Sequence, residues 1–391
     1  MPIDDPTAPP FLSTAPPSSG NKFFYAPDGG IRVGWRLLLF LVIFVALIVA
    51  VHFTLHSIPA FRAWENSVPK EVFVPSKIMV GEGIAVFVLF ISAFLTSKIE
   101  TKTFADYALP PAQAFGRRFW QGALFGFAML SLLMGLIAVF HGFSLGGFAL
   151  AGTKALKYAA LYGIAFLLVG IFEEFSFRGY MQSTLGSGIG FWPAAIVLSV
   201  IFGAIHLQNS GEAVAGAVMA GSFGILAALT LRRLGSIWFA IGMHAAFDWG
   251  ETYFYSVADS GFVARGHLLN ASFHGPTWLT GGSVGPEGSL FALLVLLLAA
   301  LAIHFLFPAR DNPARPTSRG FLGKVRSKRD FSLRGLRSPR EARSERNDGL
   351  FWWRNPRRWH KSERCRRFGD LTQQCCALRL RATHDKSLRI L

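Results

Sequence analysis

Charge is scarce in this chain of 391 residues. Asp, Glu, Lys and Arg make up 16% of it, against 52% hydrophobic residues that include 38 phenylalanines. Cysteine is rarer still. The three present, Cys365, Cys375 and Cys376, lie near the C-terminus and form no CxxC pair with zinc-site spacing. The apolar body therefore has no thiolate to offer a metal and no disulfide to close. Strands of alternating hydrophobicity are missing, which argues against a membrane barrel. The Pro/Ser-rich start, Met1 to Gly20, has no basic stretch leading directly into an apolar core. It reads as a disordered leader rather than a cleavable signal peptide. No internal repeat is evident, so an inverted-repeat transporter gains no support.

Long apolar runs are abundant. Several reach the roughly 20 residues that cross a hydrocarbon core of about 30 Å. The expected fold is all-α, a polytopic transmembrane bundle of about eight spans near 36–56, 78–97, 119–141, 156–182, 191–209, 213–231, 236–256 and 289–307. Trp35, Trp120, Trp192 and Trp238 stand near span starts, where indole rings favour the interface. The segment from Phe104 to Pro111 reads as an interfacial connector, and residues 257–288 as the longest external loop. Three regions follow: a leader over 1–30, a membrane domain over 31–307 and a basic tail over 308–391.

The formal charge of +16 belongs almost wholly to that tail, which holds 23 Lys/Arg against 8 Asp/Glu. Its expected state is a disordered cytosolic extension able to contact anionic lipid, each cation near the surface adding about 1 kcal/mol. No recognised nucleic-acid-binding fold accompanies the charge, so no specific nucleic acid partner is expected. Positive-inside counting places both termini in the cytosol. The expected location is the inner (cell) membrane of a bacterium, with the lipid bilayer as the constant partner.

The costly residues sit inside the spans. Glu173 and Glu174 are adjacent in an apolar stretch, with Arg178 four residues on. An ionised carboxylate in hydrocarbon costs roughly 2.5 kcal/mol or more, so such groups are functional candidates by default. Glu174 and Arg178 share a helix face and can pair, while Glu173 points about 100° away without an intrahelical partner. The next span carries Phe202 and His206; the seventh carries His244 and Asp248, one turn apart. A Glu, two His and an Asp converging on one cavity suit water activation, directly or through a metal. The same residues would also serve a polar network that only holds helices together, or a proton path through Glu173 and His206. Counted at about 1.5 Å per residue, Glu173 and His206 both lie roughly 20 Å from the turn that joins their spans, whereas His244 lies about 14 Å deep and needs a tilt or an early turn to join them.

Other intramembrane proteolytic signatures are absent. There is no His-Glu-x-x-His, no Gly-x-Ser-Gly and no Gly-x-Gly-Asp. The ordered set Glu173-Glu174-x-x-x-Arg178, Phe202-x-x-x-His206 and His244-x-x-x-Asp248 resembles the CPBP family, which comprises type II CAAX prenyl proteases and bacteriocin-processing or self-immunity (Abi) proteins. The resemblance covers about residues 30–307 and implies an eight-helix intramembrane protease acting on a membrane-anchored protein or peptide. It implies Glu173 as the base that activates water, His206 as a holder of that water, and His244 with Asp248 as the oxyanion-stabilising pair. Glu174, Arg178 and Phe202 would be structural. Members are usually called metalloproteases, and Glu173, His206 and His244 are the residues that would hold Zn2+. The expected cleavage lies near the cytosolic side. The alternatives are a non-catalytic scaffold or immunity protein and a proton-coupled transporter.

Overall fold

Hydrocarbon offers no partner to a backbone N–H or C=O, so an apolar run in a bilayer satisfies both groups within itself by forming a helix. The computed structural model describes residues 23–26, 30–70, 72–208 and 214–308. Its frame is helical: α1 (Val33–His56), α2 (Pro59–Glu65), α3 (Pro75–Ile99), α4 (Arg117–Val139), α5 (Gly152–Glu174), α6 (Gln182–Ile189), α7 (Phe191–His206), α8 (Val214–Leu234), α9 (Trp238–Trp249), α10 (Thr277–Thr280) and α11 (Leu290–Leu306). Five stretches are long and apolar enough to cross a membrane: α1, α3, α4, the continuous run Gly152–Ile189, and α8. The shorter apolar helices α7 and α11, and the buried α9, occupy the other three places where spans were expected. The outer faces carry exposed Phe53, Phe87, Leu124 and Val200, as a lipid-facing surface requires.

α9 is the central helix. Its residues Trp238 to Ala245, with Phe247 and Asp248, are all buried. α4 lies directly on it because glycines remove the side chains between them. A Cβ at Gly122 would stand 2.0 Å from the Phe239 carbonyl oxygen, and one at Gly126 equally close to that of Met243. From the other side, a Cβ at Gly242 would meet the Phe119 carbonyl oxygen at 2.1 Å. This small-residue contact is how membrane helices approach closely. It fixes the height of the turn that carries His244. Met129, Leu130, Leu133 and Met134 of α4 pack with Phe239 and Met243 to build the larger core around the same contact.

The structure adds local detail to these expectations. The fourth span is not a uniform α-helix: from Phe175 to Met181 the chain widens into π-helical turns before α6. α9 likewise continues as π-helix over Gly250–Phe254. The connector after α3, expected at the interface, also packs into the bundle. Its two 3-10 turns, Phe104–Tyr107 and Pro111–Gln113, bury Tyr107 completely. Ala108 accepts a hydrogen bond from the Ile237 N–H (2.9 Å), and Pro110 accepts one from the Trp238 indole (3.0 Å). Ahead of α1 the Trp35 indole donates to the Phe23 carbonyl at 2.9 Å, and both Phe23 and Phe24 lie against its ring. The rest of the leader as far as residue 22, and the tail from 309 with its expected lipid contacts, lie outside the described residues.

Two short sheets occupy one end of the bundle. β1 (Val72–Phe73) runs parallel to β3 (Val263–Ala264), and β2 (Phe143–Phe148) pairs antiparallel with β4 (Leu269–Phe273). They tie the 257–288 loop to the ends of α2 and α4. The opposite end holds the start of α1 and the end of α11. There Arg36 pairs with Glu100, and Arg233 lies against His304.

Candidate active site

Glu174, the last residue of α5, is completely buried and has two partners. Its Oε1 accepts from Arg178 Nη1 at 3.3 Å and from His244 Nδ1 at 3.0 Å. The widened π turns carry Arg178 to the face of α7, where its guanidinium stacks 4.3 Å above the Phe202 ring. α8 leaves the space: a Cβ at Gly224 would stand 2.4 Å from Arg178 Nη2. The pairing of Glu174 with Arg178 was legible as an i, i+4 spacing. That Glu174 also anchors a histidine on another helix was not.

His244 then presents its second nitrogen to the other carboxylates. Nε2 lies 3.5 Å from Glu173 Oε2 and 3.4 Å from Asp248 Oδ2. Asp248 sits one turn along α9, as the sequence spacing suggested. Glu173 Oε2 has no hydrogen-bond partner among the described groups. His206, at the end of α7, directs Nδ1 to the Phe202 carbonyl at 2.8 Å. A carbonyl only accepts, so Nδ1 carries the proton in that bond and Nε2 keeps its lone pair for a water.

Glu173, His206, His244 and Asp248 line one cavity of about 350 Å³. Its apolar wall includes Phe166, Phe202, Phe223 and Phe247. The difference in counted depth does not keep His244 apart, since its Nε2 reaches Glu173 and Asp248. α9 is also set by its glycine contacts with α4 rather than by its loop.

Four lining residues escaped the sequence reading. Glu82 enters from α3, and Lys77 stands five residues earlier on that helix. Asp259 and Glu287 come from the loop. Glu82 was open to the same argument as Glu173, being a carboxylate in an apolar helix. The loop acids carried no such signal, because acids are ordinary in a polar connection. Asp259 is buried, accepts from the Thr252 hydroxyl at 2.7 Å, and faces Asp248 and Glu287. Burial, and then the charges of those two neighbours, raise its pKa well above the usual carboxylate range. Glu287 accepts from the Ser260 N–H and hydroxyl at 3.2 and 2.9 Å.

The lining also fixes which end of the bundle the cavity occupies. Phe73, Lys77, Asp259, Ser260, Phe262 and Glu287 belong to the end opposite the termini of α1 and α11. Termini in the cytosol and a site near the cytosolic side therefore cannot both hold.

The donor types Glu173, His206 and His244 suit zinc, but their placement does not. Among the described residues, the trio whose ligand atoms fall within 4.8 Å of one another is Glu251, Asp259 and Glu287. Glu173, His206 and His244 form no such trio, so as placed they do not share one ion, whose ligands need bonds of about 2.0–2.2 Å.

Residues 155–250 match the family model of the type II CAAX prenyl endopeptidase Rce1-like proteins. That span contains Glu173, Glu174, Arg178, Phe202, His206, His244 and Asp248. Five helices are long and apolar enough to cross a bilayer, as in an integral membrane protein, and the matched stretch, about a quarter of the chain, is similar to that endopeptidase family. No curated protein matches the chain. The match ends at residue 250, before the loop that supplies Asp259 and Glu287.

Proposed function

We propose that this protein is a glutamate-dependent intramembrane endopeptidase that hydrolyses a peptide bond in a lipid-anchored or membrane-embedded polypeptide. One observation carries the reading: Glu173, His206, His244 and Asp248 line a single cavity, and Glu173 Oε2 has no hydrogen-bond partner there. Glu173 takes a proton from a water whose second contact is His206 Nε2. The water oxygen attacks the scissile carbonyl carbon. His244 donates Nδ1–H to Glu174 and acts as the imidazolium, so that Nε2–H faces the charge that develops on the carbonyl oxygen. Asp248 keeps that nitrogen facing the cavity. The aromatic wall limits bulk water, so these interactions act in a low dielectric.

No step is routed through a metal, since the donors do not fit one ion as placed. A zinc role for Glu173, His206 and His244 would require them to close on one point. Under the positive-inside orientation the cavity opens to the non-cytosolic side of the membrane.

The test uses the purified full chain in lipid nanodiscs with a quenched fluorescent peptide ending in S-farnesyl-Cys-Val-Ile-Met, and with a membrane-spanning leader peptide as a second probe. Cleavage of either, with one oxygen of isotope-labelled water in the new carboxylate, supports the reading. A scaffold or a transporter would cleave neither. Activity abolished by a chelator and restored by zinc would replace the metal-free scheme.

A further inference from the structure

Peptide hydrolysis requires two proton transfers. One proton leaves the attacking water and another reaches the departing amine, which is a poor leaving group until protonated. Glu173 accounts for the first, and the proposal above leaves the second unassigned. Glu82 supplies a group placed for it. It sits in α3 between Gly81 and Gly83, where an added Cβ would meet nothing within 4 Å. Its side chain lines the same cavity as Glu173, His206, His244 and Asp248. Its Oε2 is buried without a hydrogen-bond partner. It lies within Coulombic reach of both Glu173 and His244, one carboxylate and one imidazole. A carboxyl oxygen left unsatisfied in an apolar helix has no structural benefit to offset its cost, and among the described residues no cation forms an ion pair with Glu82 as Arg178 does with Glu174.

We propose that Glu82 is a catalytic residue of this site, the general acid that protonates the leaving amine. The inference rests on the endopeptidase reading. Glu173 removes a proton from water as the water oxygen bonds to the carbonyl carbon. When the C–N bond breaks, the Glu82 carboxyl gives its proton to the amine nitrogen. Glu173 is left protonated and Glu82 ionised, and transfer of a proton from the first to the second through cavity water restores both. The sum is one peptide bond and one water converted to an acid and an amine. Two carboxylates with divided duties are a recurrent arrangement in hydrolytic sites.

The leaving group provides the test. Nitrophenolate departs without a proton, so an acid that serves the leaving group matters to an amide and not to a nitrophenyl ester. The farnesylated peptide and a nitrophenyl ester of the same acyl portion are compared for the unmodified protein, Glu82→Gln and Glu173→Gln in nanodiscs. The expected result is a fall of about thirtyfold or more in the peptide-to-ester rate ratio for Glu82→Gln. Glu173→Gln should lower both rates together and leave the ratio within about threefold. An unchanged ratio in Glu82→Gln overturns the assignment, whether both rates survive or both fall in parallel. Should that variant not fold, Glu82→Asp keeps the acid on a shorter arm and is read by the same ratio, with a fall expected. If the unmodified protein cleaves neither substrate, the endopeptidase reading itself fails, an outcome distinct from an unchanged ratio.

Discussion

His244 Nδ1 and Glu174 Oε1 lie 3.0 Å apart, joining α9 to the end of α5 across a fully buried contact. The bond gives the second glutamate of the pair a task beyond balancing Arg178. It fixes the orientation of the imidazole whose other nitrogen faces Glu173 and Asp248. Such partners are worth about tenfold to one-hundredfold for histidines that hold a metal, and a loss of the same order is expected for one that faces a developing charge. Glu174→Gln is therefore expected to lower kcat by that amount with little change in KM, measured on the farnesylated peptide.

Removing Arg178 should act on stability more than on chemistry. Arg178→Ala leaves Glu174 ionised at zero exposure with only His244 beside it. Breaking one side of a buried ion pair costs about 3–5 kcal/mol. Thermal unfolding of the detergent-solubilised variant, followed by tryptophan fluorescence, should show that loss.

The glycine contact between α4 and α9 predicts a separate effect. In Gly126→Ala the new methyl would stand 2.0 Å from the Met243 carbonyl oxygen, which is backbone and cannot rotate away. The helices must separate, lowering stability by about 1–3 kcal/mol and moving the adjacent His244. Gly135→Ala on the same helix, with nothing within 4 Å, serves as the control and should unfold like the unmodified protein.

Much of this frame was legible in the sequence, for a physical reason: a bilayer forces apolar runs into helices and makes every buried charge conspicuous. The positions of α1, α3, α4 and α8 follow from run length, and Glu173, Glu174, Arg178, His206, His244 and Asp248 stood out because charge was rare around them. The π turns at Phe175–Met181 were invisible, since their cause is tertiary: Gly179 packs against Phe175 and the Tyr107 carbonyl, and Arg178 is drawn to Phe202. Asp259 and Glu287 were invisible because they belong to a polar loop that folds back over the cavity through β1 and β3. Glu82 was legible and overlooked.

Acid should loosen the end of the bundle opposite the cavity. Burial works to raise the Glu100 pKa, but hydrogen bonds from Arg36 and Tyr180, with the charges of Arg36 and Lys102, outweigh it and hold it below the usual carboxylate value. A carboxylate with a lowered folded-state value adds stability that is present above its ordinary value of 4.5 and lost as pH falls through the lower one. Unfolding temperature should therefore drop with acid over that window, and Glu100→Gln should start lower and show a flatter acid limb.

Orientation is open to chemical labelling. In a background lacking Cys365, Cys375 and Cys376, Asn66→Cys reports the cavity end and Gln113→Cys the opposite end; both positions are exposed. The positive-inside assignment predicts that an impermeant maleimide labels Asn66→Cys in intact cells and Gln113→Cys only after lysis. The reverse pattern would put the cavity in the cytosol.

The most direct test of the account is the peptide cleavage rate of Glu173→Gln, which keeps the shape of the side chain and removes the base. In nanodiscs, with folding checked by unfolding temperature, the rate should fall between about one-hundredfold and ten-thousandfold. A folded Glu173→Gln protein that cleaves the peptide within about threefold of the unmodified rate would contradict it.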